Sequence, residues 1–229
     1  MPYVKKMIYS GKLLEIENYP VSQKGNRIRT TKSNTSSNSQ ANLNEKNALK
    51  HLIRLVETNY TEDDMFITLS YKVAPESSAK LKKDFQNFLR RLKYHCKNMK
   101  LPPPVFLGKP VESKSRPHHH LFLNRYSWDF IKEHWDKGRV QFSSLERDDE
   151  YGFVAISKYF MDEKNKSAFT KRWCASRNLK KPLIVKKQVK RLNIYKPPVA
   201  PKGYRIVSVE NVDNAFSGTY QYIKCVKEG

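Results

Sequence analysis

The run Arg116-Pro117-His118-His119-His120-Leu121-Phe122-Leu123 places three of the chain's six histidines in an apolar stretch that reads as a strand. Side chains alternate faces along a strand, so His118 and His120 point one way and His119 the other. Neutral imidazole binds divalent cations well, and two imidazoles side by side on one face form a ready ligand pair. The competing reading is a solvated basic patch; an interior position and an apolar setting favour the ligand pair. The second chemical candidate is Tyr159, which follows Lys158 in an apolar helical pattern of Phe153, Val154, Ile156 and Phe160. Alone, such a tyrosine reads as a core aromatic. With a lysine beside it and a metal pair on the same chain, it becomes a candidate covalent nucleophile.

The charge balance says which substrate such groups would meet. The 229 residues carry 44 Lys+Arg against 22 Asp+Glu, a formal net charge of +22. So large an excess points to a polyanion, either nucleic acid or an anionic membrane surface. No apolar run reaches the length of a membrane span, and Met1–Lys6 lacks the apolar core of a signal peptide, so nucleic acid is the expected partner and no membrane is involved. Cys96, Cys174 and Cys225 are odd in number, far apart and without C-x-x-C spacing; they indicate neither a disulfide framework nor a cysteine zinc site, and fit a reducing cytoplasm. Cleaving a phosphodiester needs an in-line nucleophile, neutralisation of phosphate charge and a polarised scissile oxygen. Tyr159 supplies the first, and a divalent ion on His118 and His120 would act as the Lewis acid. Lys158 is the candidate for steadying the developing charge, although a helix sets it about 100° around from Tyr159.

The chain length suits one substantial core. Tyr3–Tyr9 and Lys12–Tyr19, either side of Ser10-Gly11, read as a hairpin or a pair of extended segments over residues 1–20. Residues 21–43 are polar and basic and read as a flexible loop, with Lys24, Arg27, Arg29 and Lys32 as a candidate backbone clamp. Ala48, Leu49, Leu52, Ile53 and Val56 predict an amphipathic helix over 44–58, and Met65–Tyr71 a strand. Ser77 and Ser78 can cap a second helix with Leu81, Phe85, Phe88, Leu89, Leu92 and Cys96 on one face and Lys82, Lys83, Arg90, Arg91 and Lys93 opposite. Val105–Leu107 forms a strand that makes a hairpin with the histidine strand. Trp128, Ile131 and Trp135 mark a short helix, Val140–Leu145 a short strand, and Asp148-Asp149-Glu150 lie at the positive end of the tyrosine helix. Lys171–Pro182 is strongly basic, and Tyr204–Val209 with Thr219–Val226 forms a last strand pair that could complete the sheet. The expected fold is α+β: a central antiparallel sheet of about five strands with the histidine strand in the middle and helices packed on it.

A strand like Phe66–Tyr71, a long helix, a His-x-His strand and then a Lys-Tyr helix is a specific order. It resembles the HUH endonucleases, among them the rolling-circle replication initiators of small circular phages and plasmids. The first motif is similar to Phe66–Tyr71, the second to Pro117–His120, the third to Ala155–Tyr159, and Ser176–Pro182 looks like a basic segment common after the third. The resemblance spans about residues 3–226. It implies a ferredoxin-like, RRM-like palm, with residues 44–229 as a single endonuclease domain completed by the C-terminal strands. It further implies a metal-dependent (Mg2+ or Mn2+) nickase and strand transferase that keeps the 5′ end of DNA on Tyr159 and leaves a free 3′-OH. The implied partners are single-stranded or hairpin origin DNA, contacted by Arg116, Arg177, Lys180 and Lys181, and the helicase and polymerase of a bacterial host, whose cytoplasm is the expected location. Within this chemistry a relaxase or single-tyrosine transposase is the alternative, and outside it a non-catalytic basic nucleic-acid-binding protein.

The chain also departs from that pattern. Where many relatives carry a second tyrosine four residues before the first, Ala155 stands, which implies a single-tyrosine enzyme; a homodimer would be one way to supply a second tyrosine. The lysine often found three residues after the nucleophile is replaced by Asp162. The Glu that usually completes the metal site eight or nine residues before the first histidine is missing from Gly108-Lys109-Pro110, leaving Glu112, Asp162 and Glu163 as candidate third ligands.

Overall fold

The computed structural model describes residues 2–21, 38–113, 116–126, 128–161, 172–190, 192–213 and 218–228. The elements run β1 (Tyr3–Ser10), β2 (Leu13–Pro20), α1 (Asn38–Asn59), β3 (Met65–Ser70), α2 (Ser78–Asn98), β4 (Phe106–Val111), β5 (His118–Leu123), α3 (Trp128–His134), β6 (Val140–Ser144), α4 (Val154–Met161), β7 (Cys174–Ala175), β8 (Leu183–Val189), β9 (Tyr204–Val212) and β10 (Tyr220–Lys227). They form two compact units, one of residues 1–58, 148–154 and 181–229, the other of residues 59–147 and 155–180. The fold is α+β, with two antiparallel five-stranded sheets.

In the second unit the strand order is β6-β3-β5-β4-β7, so the histidine strand β5 is central. One face packs α2, whose predicted stripe of Leu81, Phe85, Phe88, Leu89, Leu92 and Cys96 is buried, while Lys82, Lys83, Arg90, Arg91 and Lys93 are exposed. The helix begins as its sequence predicts: extended Ser77 accepts a hydrogen bond from the Lys80 amide at 3.2 Å. It ends ahead of Leu101-Pro102-Pro103-Pro104, where Lys100 turns the chain at φ 56° and proline cannot continue the hydrogen-bond ladder. Gly108 of β4 lets this helix settle on the sheet, since a Cβ there would lie 2.5 Å from Phe85 Cζ and 2.9 Å from Leu121 Cδ1. Trp135, just after α3, closes the same core and donates from Nε1 to the Ser70 carbonyl at 2.8 Å.

In the other unit the order is β8-β1-β2-β10-β9. β1 and β2 form the expected hairpin through Gly11-Lys12; Gly11 has φ +55°, and a Cβ there would lie 2.1 Å from the Glu57 carbonyl oxygen. The last strand pair, β9 and β10, pairs with β2 and so completes this sheet, whereas the sequence suggested the histidine sheet. At the opposite edge β8 pairs with β1, just after the run Lys171–Pro182 that reads as basic. Leu14, Ile16, Ile223 and Cys225 are buried on one face. On the other, Arg54 of α1 reaches Glu15 at 2.5 Å and Glu17 at 2.9 Å, and Tyr222 donates to Glu15.

One further boundary differs from expectation. Among the described residues α1 already runs at Asn38, six residues before the helix expected over 44–58, because its first turns are exposed and carry no apolar periodicity. Asp148–Glu150 precede α4 as the sequence suggests, in a turn in which Asp148 Oδ1 accepts from the Glu150 and Tyr151 amides. Of the basic loop expected over 21–43, residues 22–37 lie outside the described residues.

Candidate active site on the histidine face

The register of the second sheet fixes what faces what. His118 lies opposite Ser70 and Val111, and His120 opposite Thr68 and Lys109. Directly opposed residues share a face, so His118, His120, Phe66, Thr68 and Lys109 look one way, while His119 looks toward α2. His119 is fully buried there: its ring stacks on Phe85 at 4.6 Å and 11°, and Nε2 is 2.8 Å from the Tyr71 hydroxyl. Burial, with the neighbouring His118 and His120, pushes its pKa down to about 3, so it is a neutral core side chain.

His118 and His120 turn Nε2 toward Nε2 at 3.1 Å. His118 Nδ1 is 2.8 Å from the Arg116 carbonyl, which can only accept, so that nitrogen carries the proton and Nε2 presents a lone pair. His120 Nδ1 is 3.3 Å from Thr68 Oγ1, and donation to that hydroxyl frees its own Nε2 in the same way. Two lone pairs then converge on one point, a distance that two nitrogens bonded to a single ion at about 2.1 Å can span. The residues present therefore fit a divalent cation as two ligands with their rings held from behind. Burial above all, then His118 and Lys109, lowers the His120 pKa to about 3, so the imidazole stays in the neutral form that binds metals.

Tyr159 comes to the same face. Its ring is 5.1 Å from that of His120 and 5.9 Å from that of Phe66, yet the side chain is 56 % exposed. The next residue, Phe160, anchors α4: it is fully buried, 5.2 Å from Phe122 and 6.4 Å from Phe66. The core reading of Tyr159 belongs to Phe160 instead, one helical step away. Lys158 is exposed, and Ala155, one turn earlier on the tyrosine's face, is exposed too.

Other sequence candidates are placed differently. Glu112 accepts from Ser78 of α2 at 2.9 Å and pairs with Lys82 at 3.2 Å; the Ser78 bond outweighs burial and, with Lys82, holds the carboxyl below its ordinary range. It is committed to α2, on the face opposite the histidine pair. Asp162 and Glu163 lie outside the described residues, among which no group of three metal-ligating side chains occurs. Arg116, Arg177, Lys180 and Lys181 are all exposed. Arg116 contributes its backbone carbonyl to His118, and the Lys180 backbone is gripped at both ends by Asn59, at 2.7 and 2.8 Å. Arg177 lines a groove of about 510 Å³ with Lys93 and Lys97 of α2, and is not brought to the histidines.

Two residues of this face were not singled out from the sequence. Thr68, which holds His120, carries no signal beyond alternation in β3. Lys109 is only 7 % exposed and lies with its Nζ 5.6 Å from the Phe160 ring centre. It was visible only as the absence of a glutamate.

Residues 64–165 match the family model described as replication-associated protein ORF2/G2P. The match runs from the start of β3 past the end of α4, so it takes in the histidine pair and Tyr159 and leaves out every strand of the terminal-strand sheet. It supports a replication initiator role. No curated protein and no solved structure matches the chain. Among the described residues no helix is long and apolar enough to cross a membrane.

Proposed function

We propose that this protein is a replication initiator of the HUH type, which nicks one strand of origin DNA and later rejoins it through a covalent tyrosyl phosphodiester. The observation that carries the reading is the placement of an exposed Tyr159 beside two histidines whose Nε2 atoms converge at 3.1 Å, within a span that matches a replication-associated family.

The Tyr159 phenolic oxygen attacks the scissile phosphorus, and the bond from phosphorus to the 3′-oxygen breaks. The 5′ end stays on the tyrosine, the phenolic proton passes to solvent, and the departing 3′-oxygen takes up a proton to leave a 3′-OH for a polymerase. Because one phosphodiester replaces another, the step is reversible and the strand can be resealed. His118 and His120 would hold a divalent ion, Mg2+ or Mn2+, which when bound supplies Lewis-acid polarisation of a phosphate oxygen. Phe160, buried against Phe66 and Phe122, fixes the helix so that the tyrosine projects from a rigid element. Exposed Ala155 leaves one tyrosine on this helix face, so termination requires a second subunit, release and rebinding, or an activated water.

The test is incubation with single-stranded origin DNA and Mn2+, read on a denaturing gel. Wild type should give a covalent, denaturation-resistant adduct that Tyr159→Phe abolishes while DNA binding persists. Binding without any adduct from wild type would leave the non-catalytic alternative, and mapping of the adduct to Tyr151, Tyr220 or Tyr222 would move the nucleophile.

A further inference from the structure

At the end of β3 lies a cavity of about 570 Å³. Its lining carries the cations Lys72, Lys137 and Arg139 against one carboxylate, Asp136, which pairs with Arg91 at 3.1 Å and with Lys137 at 3.3 Å. The three cations gather here because two stretches of backbone are laced together. The Ser70 amide and hydroxyl donate to the Arg139 carbonyl at 2.9 and 3.1 Å, and the Lys72 amide donates to the Lys137 carbonyl at 2.8 Å. A Cβ on Gly138, between them, would lie 2.3 Å from the Ser70 carbonyl oxygen and 2.7 Å from the Lys72 nitrogen, so glycine is what lets the stretches lie this close. Like charges held together repel, and an anion in the cavity replaces that repulsion with attraction. Tyr71 and Trp135, with ring centres 5.2 Å apart, line the same cavity and give it an aromatic wall. Cations beside aromatic rings suit the backbone and bases of a single nucleic-acid strand.

The cavity also adjoins the histidine pair. Ser70, on its edge, lies directly opposite His118, and paired strands are only about 4.8 Å apart. A strand whose phosphate meets His118 and His120 therefore brings its neighbouring phosphates to Lys72 and Arg139. We propose that this cavity seats a backbone phosphate of single-stranded DNA close to the scissile one, held by Lys72 and Arg139, with Tyr71 flanking the adjoining nucleotide. The course of the strand past His118 rests on the nickase reading above. Such a seat fixes the strand's position without reading its sequence.

The experiment uses the full chain carrying Tyr159→Phe, which cannot form the adduct. Its probe is an oligothymidylate of about 12 nucleotides, within the usual site sizes, carrying one photoreactive 4-thiothymidine. Irradiation and peptide mapping should place the crosslink within Tyr71–Lys72 or Trp135–Arg139. Lys72→Ala with Arg139→Ala should lose that crosslink and weaken binding, read by fluorescence anisotropy, by about tenfold or more, the scale of two lost charge-assisted contacts. Lys72→Arg with Arg139→Lys keeps both charges and should restore the crosslink and most of the affinity. Lys83→Ala with Arg90→Ala, which removes two charges from the outer face of α2, should cost far less. All four positions are exposed, and thermal melting checks that each variant is folded. Crosslinks scattered over the surface, or equal losses from the two pairs of alanine substitutions, would overturn the seat. The two readings fail separately: absence of an adduct from wild type counts against the nickase and leaves a mapped crosslink standing, whereas a normal adduct with no crosslink at the cavity counts against the seat alone.

Discussion

Three consecutive histidines do two different jobs because a strand has two faces. His118 and His120 converge on one point, and His119 is a neutral side chain stacked in the α2 core. His118→Ala and His120→Ala should each abolish Mn2+ binding and adduct formation. His119→Leu should keep both and change stability by only about 1 kcal/mol. It gives up one hydrogen bond to Tyr71, which is part-exposed and can turn to water, but also removes a buried Nδ1 that has no partner among the described residues. Electron paramagnetic resonance and the adduct gel together check this, and a dead His119→Leu protein would mean that the faces are assigned backwards. Alternation alone made this division legible from the sequence. The placement of Lys109 was not, because only the pairing of β4 with β5 puts it opposite His120.

The elements that carry the site were legible where their apolar stripe is complete. The six buried apolar residues of α2 are the six that helical spacing picks out, Asp84 being buried beside them, and β5 lies at the centre of its sheet as expected. What spacing cannot show is how closely a helix may approach a sheet, which here depends on Gly108. Gly108→Ala should force Phe85 or Leu121 aside, with a loss of about 1–3 kcal/mol in urea unfolding, and should disturb the His119 stack without touching a ligand. In the terminal-strand sheet the hidden feature is electrostatic. Burial raises the Glu17 pKa, but hydrogen bonds from Lys6 and Arg54 outweigh it and hold the carboxyl below its ordinary 4.5. A depressed carboxylate adds stability above its unfolded pKa and loses it as pH falls through the folded value. Glu17→Gln should therefore lower stability at pH 7 by about 2 kcal/mol and flatten the loss of stability below pH 4.5, as acid-melting curves would show. Strand β8 escaped notice because Leu183-Ile184-Val185 is short and sits in a basic run, with Leu183 and Ile184 exposed at the sheet edge.

On the scale of the whole chain, a net charge of +22 points to a polyanionic partner and says nothing of sequence preference. The basic groups are spread over the exposed face of α2, the segment around Arg177–Lys181 and the strand β8, rather than gathered at the histidines. Basic groups of this kind suit contacts to phosphates that do not depend on sequence, whereas on the nickase reading the few groups beside Tyr159 would set the cleavage position. The two functions should then separate under salt. Binding of single-stranded DNA should weaken linearly in the logarithm of salt concentration as counterions are retained. Lys180→Ala and Lys181→Ala should each lower affinity for all sequences alike and reduce the steepness of that line by about 0.7 per lost phosphate contact. The position of the nick, mapped on a sequencing gel, should not move. Fluorescence anisotropy over a salt series, with two unrelated oligonucleotides, measures the first effect. A loss confined to one oligonucleotide would mean that these lysines read bases, and a shifted nick would place them at the scissile phosphate.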